Sequence, residues 1–275
     1  MLTPEEGCIF CFNKPYALTS FRVVSRVRGI LCSRLGIKKL AVGHAGTLDP
    51  LATGVLIVCT GQATKQIDTL QAGTKEYIAQ LRLGATTPSF DRETEEDCSY
   101  PTEHLSREII EQTLPRFIGR IEQIPPAFSA VKVDGKRAFK MARRGVDVEL
   151  KPKVLVIDEL ELLDCDLTPV APSVEKPAAI CIKHLSEEQM QALRQQPPLT
   201  GFPTITLRIV CSKGTYIRAL ARDIGEALGT GAYLSGLVRT RVGDYRLSDS
   251  IDPDTFEQYV DEQGVVPSQT TNIQH

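Results

Sequence analysis

The chain has 275 residues, of which 42% are hydrophobic and 24% are charged, so it can bury a full core as one or two domains. It has no apolar run of the roughly eighteen residues that a membrane-spanning helix needs, and its N-terminus lacks the basic and small-residue features of a signal peptide. We therefore expect a cytoplasmic protein with no membrane partner. The net charge of −2 does not by itself suggest a nucleic-acid partner.

The first predicted elements are a strand, a helix and a second strand. The segment CIFCFNKP is apolar and ends at a proline, as short strands often do. Thr19 or Ser20 can cap the following helix, in which Val23, Val27 and Ile30 form an apolar stripe. GVLIVCTG is a β-branched run closed by glycine, which predicts the second strand.

The stretch GHAGTLDPLATGVLIV, from Gly43 to Val58, leads into this second strand. It lacks the Gly-Lys-Ser/Thr of a phosphate-binding loop and the Gly-x-Ser-x-Gly of a hydrolase turn. His44 and Asp49 alone make a poor set of metal ligands. Asp49 therefore stands as one carboxylate at a glycine-flanked turn in which Pro50 fixes the backbone. Composition and spacing leave open whether Asp49 reacts or only forms the turn.

The middle of the chain mixes strand and helix patterns. KEYIAQLRLG places Tyr77 and alternate apolar residues on one face, which predicts a half-buried strand. LSREIIEQTLPRFIG predicts a helix capped by Ser106. Asp134 and Gly135 form a hairpin-turn signal. A short basic helix ending at Gly145 and a long strand, VLVIDELELLDCDL, follow.

Residues 168–203 carry six of the chain's seventeen prolines, which predicts a partly mobile insertion between two strands. We expect its removal to leave catalysis intact. Beyond it, TITLRIVCSKG and LVRTRVGDY predict strands, and TYIRALARDIGEALG and DPDTFEQYV predict helices. Strands and helices alternate without a regular βαβ order, so we predict an α+β fold with a mixed, mostly antiparallel sheet flanked by helices.

Cys8 and Cys11 form one CxxC pair inside an apolar, strand-like run. No second pair or nearby histidine completes a zinc site around them. We therefore expect buried thiols in a reducing compartment, with a metal or redox role as the alternative. The sequence predicts no metal and no cofactor.

Basic residues are concentrated in two segments. From Lys14 to Lys39 there are seven Lys or Arg and no acid, and eight basic residues lie between Lys132 and Lys153. Such segregation gives local positive surface that can bind phosphate, although solvated helix faces are the alternative. The candidate phosphate contacts are Arg22, Arg26, Lys132, Lys136, Arg137, Arg143 and Arg144.

Five sequence blocks then stand in a specific order. They are NKPYALTS, GHAGTLDPLATGVLIVCTGQATK, KEYIAQLRLG, IEQIPPAFSAVKVDGKRAFKMARRG, and CSKGTYIRALARDIGEALG followed by LVRTRVGDY. Together they resemble the signature of the bacterial tRNA pseudouridine-55 synthases of the TruB type, over roughly residues 8–246 apart from the insertion. The resemblance implies a pseudouridine synthase fold with a central RNA-binding cleft. It also implies isomerisation of one uridine, at position 55 in the T arm of tRNA.

The resemblance also implies roles for individual residues. Asp49 matches the catalytic aspartate of the family, Tyr77 the tyrosine that stacks on the target base, and Arg218 the arginine that pairs with the aspartate. The remaining matches are implied to bind or flank the substrate: His44, Tyr216, Leu237 and Lys14, with the basic segment around Lys132, Lys136, Arg137, Arg143 and Arg144 as an RNA-clamping loop.

The same resemblance gives the expected domain organisation. We expect a catalytic domain over residues 1–250, with the clamping loop at about 124–152. Residues 251–275 are expected to form a C-terminal helix and tail, without the separate RNA-binding domain that many members carry. A monomer is the default expectation. The alternative function is a tRNA-binding folding factor with weak or lost modification activity.

The chemistry explains why these residue types are needed. Pseudouridine formation breaks a C–N glycosidic bond, turns the uracil and rejoins it through carbon, which requires neither metal nor redox change. A carboxylate can serve as nucleophile or as general base. Because the base cannot be reached while stacked, we expect it to be flipped out onto an aromatic side chain such as Tyr77.

Overall fold

The structure is a computed structural model that describes residues 1–133, 135–146, 148–167, 186–196 and 201–267, apart from the side chains of Met190 and Arg194. The turn residue Asp134 and much of the predicted insertion, residues 168–185 and 197–200, lie outside the described residues. The chain divides into two compact units, Met1–Gly73 with Val238–His275 and Thr74–Leu237. None of the described helices is long and apolar enough to cross a membrane.

The first unit contains the N-terminal elements and the C-terminal helix. Its elements are β1 (Ile9–Lys14), α1 (Ser20–Leu35), β2 (Val42–His44), β3 (Thr53–Thr60), α2 (Ile67–Ala72), β13 (Tyr245–Arg246) and α7 (Phe256–Gln263), with 3-10 turns at Gly61–Gln66 and Leu247–Asp249. The strand β12 (Ala232–Val242) begins in the second unit and ends in the first.

The sheet of the first unit is centred on β3. Strands β1 and β2 both pair with β3 in antiparallel register. The end of β12 pairs with β3 in parallel register, with Val238 opposite Thr53 and Arg239 opposite Gly54. Every residue of β3 is buried, which explains its continuous apolar pattern.

Helix α1 begins where the sequence predicts. Thr19 is the N-cap, because its side chain accepts a hydrogen bond from the Arg22 N–H. The helix buries Val23, Val24, Val27 and Leu31 in a core with Phe10, Phe12, Leu56, Phe256 and Val260. The predicted apolar stripe is confirmed: Val23 and Val27 are buried, and Ile30 is partly buried and packs against this core. Leu31, which was not predicted as part of the stripe, is fully buried as well.

Gly54 allows a close backbone approach in this unit. Its φ of 102° is in the left-handed region, and a Cβ there would lie 2.2 Å from the Arg239 carbonyl oxygen. We expect Gly54→Ala to lower the free energy of unfolding by about 3 kcal/mol or more, because strain and a backbone clash add. Thermal and urea denaturation measure this change.

Gly29→Ala is the matched control for that substitution. Gly29 lies in α1, and a Cβ there meets no atom within 4 Å. We expect it to stabilise the protein by about 0.5–1 kcal/mol through higher helix propensity. Equal effects of the two substitutions would contradict the close approach at Gly54.

The second unit holds the remaining elements. They are β4 (Lys75–Leu83), β5 (Ala85–Thr86), β6 (Cys98–Ser99), α3 (Arg107–Thr113), β7 (Gly119–Gln123), β8 (Lys132–Val133), β9 (Lys136–Arg137), α4 (Ala138–Ala142), β10 (Lys153–Asp166), α5 (Glu187–Arg194), β11 (Thr204–Cys211) and α6 (Ile217–Ala227), with a 3-10 turn at Leu114–Phe117.

The larger sheet of this unit has the order β12-β4-β11-β10-β7. The pairs β4–β11, β11–β10 and β10–β7 are all antiparallel. The prediction that β4 is half-buried was wrong: Ile78 and Arg82, on the face expected to meet solvent, are 1% and 7% exposed. The antiparallel pairs of this unit, together with the parallel pair of β12 and β3, confirm the predicted fold class, a mixed and mainly antiparallel sheet flanked by helices.

The predicted helices of this unit are confirmed, with shorter bounds. Ser106 caps α3 by accepting the Ile109 N–H, and α3 ends at Thr113 because Pro115 follows in a 3-10 turn. The predicted basic helix is α4, a short helix that ends at Ala142. Gly145 follows it with a φ of 70°.

Candidate active site

The turn that carries Asp49 joins β2 to β3. After His44 the chain passes through Gly46, whose φ is 100°. The Ala45 N–H donates to the Ile57 carbonyl at 2.9 Å, and the Ala52 N–H donates to the Asp49 carbonyl at 3.1 Å. Asp49 is half-buried. The turn is therefore tied to β3 before the carboxylate and is closed by a local hydrogen bond just after it.

Ser20, in the first turn of α1, fixes the residue before Asp49. Its hydroxyl donates to the Leu48 carbonyl at 3.0 Å and accepts from the Leu48 N–H at 2.9 Å. Ser20 is 3% exposed. Sequence reasoning considered Ser20 only as a possible helix cap, and it missed this contact because the two residues are 28 positions apart.

Lys14 fixes the residue after Asp49. Its ammonium donates to the carbonyls of Pro15 at 2.9 Å, Leu18 at 2.6 Å and Pro50 at 3.2 Å. The side chain is fully buried. Burial lowers the pKa of Lys14 to about 7, the charge of Asp49 opposes that shift, and Arg239 adds to it. Lys14, predicted to flank the substrate, is in the structure a brace for the turn.

The lowered pKa of Lys14 makes stability depend on pH in a defined direction. Between pH 7 and 10.5 the unfolded lysine binds a proton that the folded one does not, so the stability of the folded protein rises with pH. Relative to Lys14→Met, we expect the wild-type free energy of unfolding to rise by up to about 1.4 kcal/mol per pH unit across this window. Urea denaturation at several pH values measures the slope, and parallel curves would contradict the shift.

Arg239, near the end of β12, holds the same turn from a third direction. Its guanidinium donates to the carbonyls of Val55 at 2.8 Å, Thr47 at 3.3 Å and Gly46 at 3.2 Å. It is 2% exposed. The sequence analysis missed Arg239 as a site residue. The available signal was an arginine that directly follows Leu237 and Val238 in a predicted strand.

His44 lies at the start of the turn and is half-buried. Burial lowers its pKa, the charge of Arg239 lowers it further, and a contact with the Gly46 backbone opposes both. The imidazole is therefore neutral near pH 7, so His44 suits hydrogen bonding to a substrate better than charge pairing.

Arg218 is the centre of a buried polar group in the second unit. Its Nε lies 3.5 Å from Asp91 Oδ2, and the two side chains are 5% and 8% exposed. The guanidinium also donates to the carbonyls of Ser89 at 3.2 Å and Phe128 at 3.0 Å. Arg218 is thus held by one carboxylate and two loop carbonyls, while its pairing with Asp49 stays a prediction.

The loop that carries Asp91 is itself tightly ordered. Asp91 Oδ1 accepts from the Ser89 hydroxyl at 2.6 Å and from the Glu93 N–H at 2.9 Å. Phe90, just before it, has a φ of 60°, a strained conformation for an aromatic residue. The sequence analysis assigned no role to this segment and so missed Asp91.

Tyr216 precedes α6 and is clamped by an amide side chain. Gln123 Nε2 donates to the Tyr216 carbonyl at 3.2 Å, and the Tyr216 N–H donates to Gln123 Oε1 at 2.9 Å. Gln123 is 1% exposed. This pair of bonds fixes the start of the helix on which Arg218 lies.

Tyr77 and Leu237 are buried positions of the sheet in the second unit. Tyr77 lies in β4 opposite Ile209 of β11 and is 8% exposed. Leu237 lies in β12 and is 6% exposed. Their proposed contacts with RNA remain predictions.

The basic segment forms a small exposed hairpin and helix. Strands β8 and β9 pair with Lys132 opposite Arg137, and Ala138, the first residue of α4, is fully buried. Arg143 forms an ion pair with Glu93. The five basic residues of the predicted clamp are exposed: Lys132, Lys136, Arg137, Arg143 and Arg144. Their placement allows phosphate contact.

Cys11 is a buried free thiol and Cys8 is partly buried. Burial raises the pKa of Cys11 to about 12, and its thiol donates to the Arg246 carbonyl at 3.6 Å. Such a thiol suits packing rather than metal binding or redox chemistry, both of which need the thiolate. Among the residues described, no three His, Cys, Asp or Glu side chains group as a metal site.

Solved structures support the fold. A chain in "Crystal Structure of a Cbf5-Nop10-Gar1 Complex" is 25% identical with a TM-score of 0.60, and the match covers 95% of this chain and 57% of that one. A chain in "Structure of H/ACA RNP bound to a substrate RNA containing 2'-deoxyuridine" is 23% identical with a TM-score of 0.59, over 96% of this chain and 57% of that one. This protein thus spans little more than half the length of those chains.

Curated relatives named "tRNA pseudouridine synthase B" match nearly the whole chain. The protein of Phocaeicola vulgatus is 56% identical, over 95% of this chain and 96% of its own length. The protein of Bacteroides thetaiotaomicron is 54% identical, over 98% of this chain and 99% of its own length. The protein of Thermus thermophilus is 41% identical, over 97% of this chain and 83% of its own length.

Two family models cover most of the sequence. The model described as "TruB family pseudouridylate synthase (N terminal domain)" matches residues 33–217, and "tRNA pseudouridylate synthase B C-terminal domain" matches residues 218–268. Their boundary falls inside α6, so it does not coincide with the division into compact units. The chain belongs to the TruB family of pseudouridylate synthases.

Proposed function

We propose that this protein converts uridine 55 in the T arm of tRNA to pseudouridine, with Asp49 as the catalytic carboxylate. Isomerisation of a tRNA uridine is the activity printed for the relatives that match nearly the whole chain. The single observation that carries the assignment of Asp49 is the bracing of its turn. Ser20, Lys14 and Arg239, all buried, hold Leu48, Pro50 and Gly46 around it.

Bracing of this kind suits catalysis by a single carboxylate. A group that attacks a sugar or base, or that removes a proton, must be held within a fraction of an ångström of its target. Three buried side chains bound to backbone carbonyls supply that rigidity. Asp49 then acts as nucleophile or as general base toward the flipped nucleotide.

The other site residues are proposed to act in the same reaction. Tyr77 stacks on the flipped base, which recovers part of the unstacking free energy. Arg218 orients the charged groups of the reaction, and the neutral His44 hydrogen-bonds the substrate. Tyr216 and Leu237 bind the extruded nucleotide.

Binding of the rest of the tRNA is proposed for the exposed basic residues. Residues 124–152 contact phosphates of the T arm, which fixes the RNA without reading its sequence. We further propose a catalytic region over residues 1–250 that acts as a monomer in the cytoplasm, where tRNA is modified. Within residues 251–275, the described part supplies helix α7, and residues 268–275 lie outside the described residues.

Release of the uridine C5 hydrogen distinguishes an enzyme from a folding factor. Forming the new C5–C1′ bond displaces that hydrogen, so tRNA transcripts labelled with tritium at uridine C5 lose one label per turnover. We expect many turnovers per protein molecule. Improved tRNA folding without label release would favour the folding factor and overturn the proposal.

A further inference from the structure

Residues 186–196, within the predicted insertion, are an ordered part of the second unit. Helix α5 begins with a capping box, in which the Ser186 hydroxyl accepts from the Gln189 N–H and the Gln189 side chain accepts from the Ser186 N–H. Ala192 and Leu193 are 1% and 3% exposed. Residues 186–196 therefore pack against the unit with a buried face.

Gln196, at the end of this segment, forms a pair of hydrogen bonds with the backbone of Leu237. Its Nε2 donates to the Leu237 carbonyl at 2.8 Å, and its Oε1 accepts from the Leu237 N–H at 2.9 Å. Gln196 is 5% exposed. A primary amide presents a donor and an acceptor in one plane, so it acts here as one peptide group of a neighbouring strand would.

The adjoining residues of β12 are fitted to this contact. A Cβ on Gly236 would lie 2.9 Å from Gln196 Oε1 and 3.5 Å from Leu193 Cδ1. Because glycine has no Cβ, the Gln196 amide can approach the strand at this position. The Ser235 hydroxyl donates to the Gln80 carbonyl at 3.0 Å. The strand before Leu237 is thus secured to β4 as well as to the segment after α5.

We propose that Gln196 is a positioning residue for catalysis, and that residues 186–196 serve to fix the backbone of Leu237. The inference rests on the proposed function, in which Leu237 binds the extruded nucleotide. It replaces the expectation that the whole of residues 168–203 is dispensable. Loss of the amide leaves two buried backbone groups of Leu237 without these bonds, and the strand shifts to recover them.

Gln196→Leu tests this role, and Gln195→Leu is its matched control. Gln195 directly precedes Gln196, and its side chain is exposed. We expect Gln196→Leu to lower the single-turnover rate about tenfold while tRNA affinity changes less than twofold, because phosphate contacts dominate affinity. Gln195→Leu keeps both values. A folded Gln196→Leu with the wild-type rate, or one that loses affinity instead of rate, overturns the proposal.

Gln196→Glu gives a second test that does not depend on the folding of Gln196→Leu. A protonated glutamic acid can donate to the Leu237 carbonyl, and an ionised one cannot; burial raises the pKa of such a carboxyl toward neutrality. The rate of Gln196→Glu relative to wild type should therefore rise severalfold as pH falls from 8 to 6. A constant ratio overturns the positioning role. Failure of the wild type to form pseudouridine would instead refute the proposed function.

Discussion

Asp49→Asn should abolish pseudouridine formation while tRNA binding is kept. The amide is close to the carboxylate in size, so the turn held by Ser20, Lys14 and Arg239 is retained. An amide is neither a useful nucleophile nor a base, so we expect the single-turnover rate to fall by about 10⁴-fold or more. Rapid mixing of excess enzyme with labelled tRNA measures the rate, and filter binding measures the affinity.

Asp68→Asn is the matched control. Asp68 lies in the first turn of α2, in the same unit, and is exposed. The substitution makes the same chemical change at a position with no proposed role, so rate and affinity should stay within twofold of wild type. A comparable rate for Asp49→Asn and Asp68→Asn would remove Asp49 from the chemistry.

Arg218→Met should damage both stability and rate. It removes the buried partner of Asp91 and the donor to the Ser89 and Phe128 carbonyls. Breaking a buried ion pair from one side destabilises by about 3–5 kcal/mol, because the remaining charge has lost its counter-charge. Because the substitution also displaces residues of the site, we expect the single-turnover rate to fall by about 10²-fold. Urea denaturation and rapid mixing measure the two effects.

Two further variants separate these effects. Arg107→Met removes an arginine from an exposed i,i+4 pair with Glu111, and we expect a change below about 0.5 kcal/mol and no change in rate. Asp91→Asn combined with Arg218→Met should cost less than the sum of the single changes, because the two residues share one interaction. Additive effects would show that the ion pair does not link them.

The sequence predicts the parts of this protein that depend on local patterns. Strand β3 follows from a β-branched run, and α3 follows from Ser106 and an apolar period. Asp49 stood out because glycines and a proline surround one carboxylate. The block order then identified the family, which the comparisons confirm.

Contacts between distant side chains and backbone carbonyls were not predictable in this way. Ser20 and Leu48 are 28 positions apart, and Arg239 and Gly46 are 193 positions apart. Periodicity shows that such residues are buried or polar but not which carbonyl they meet. The same holds for Asp91, Gln123 and Gln196, whose roles depend on which loops the fold brings together. Burial of β4 on both faces was missed because alternation predicts only one buried face.

The most direct test of the account maps pseudouridine along a tRNA transcript after one turnover by the wild-type protein. Two transcripts are compared, one with uridine and one with cytidine at position 55, and both carry the other uridines of the T arm. We predict that the first gains one pseudouridine, at position 55, and that the second gains none. Modification of a different uridine in either transcript, or of none in the first, would contradict the proposed function.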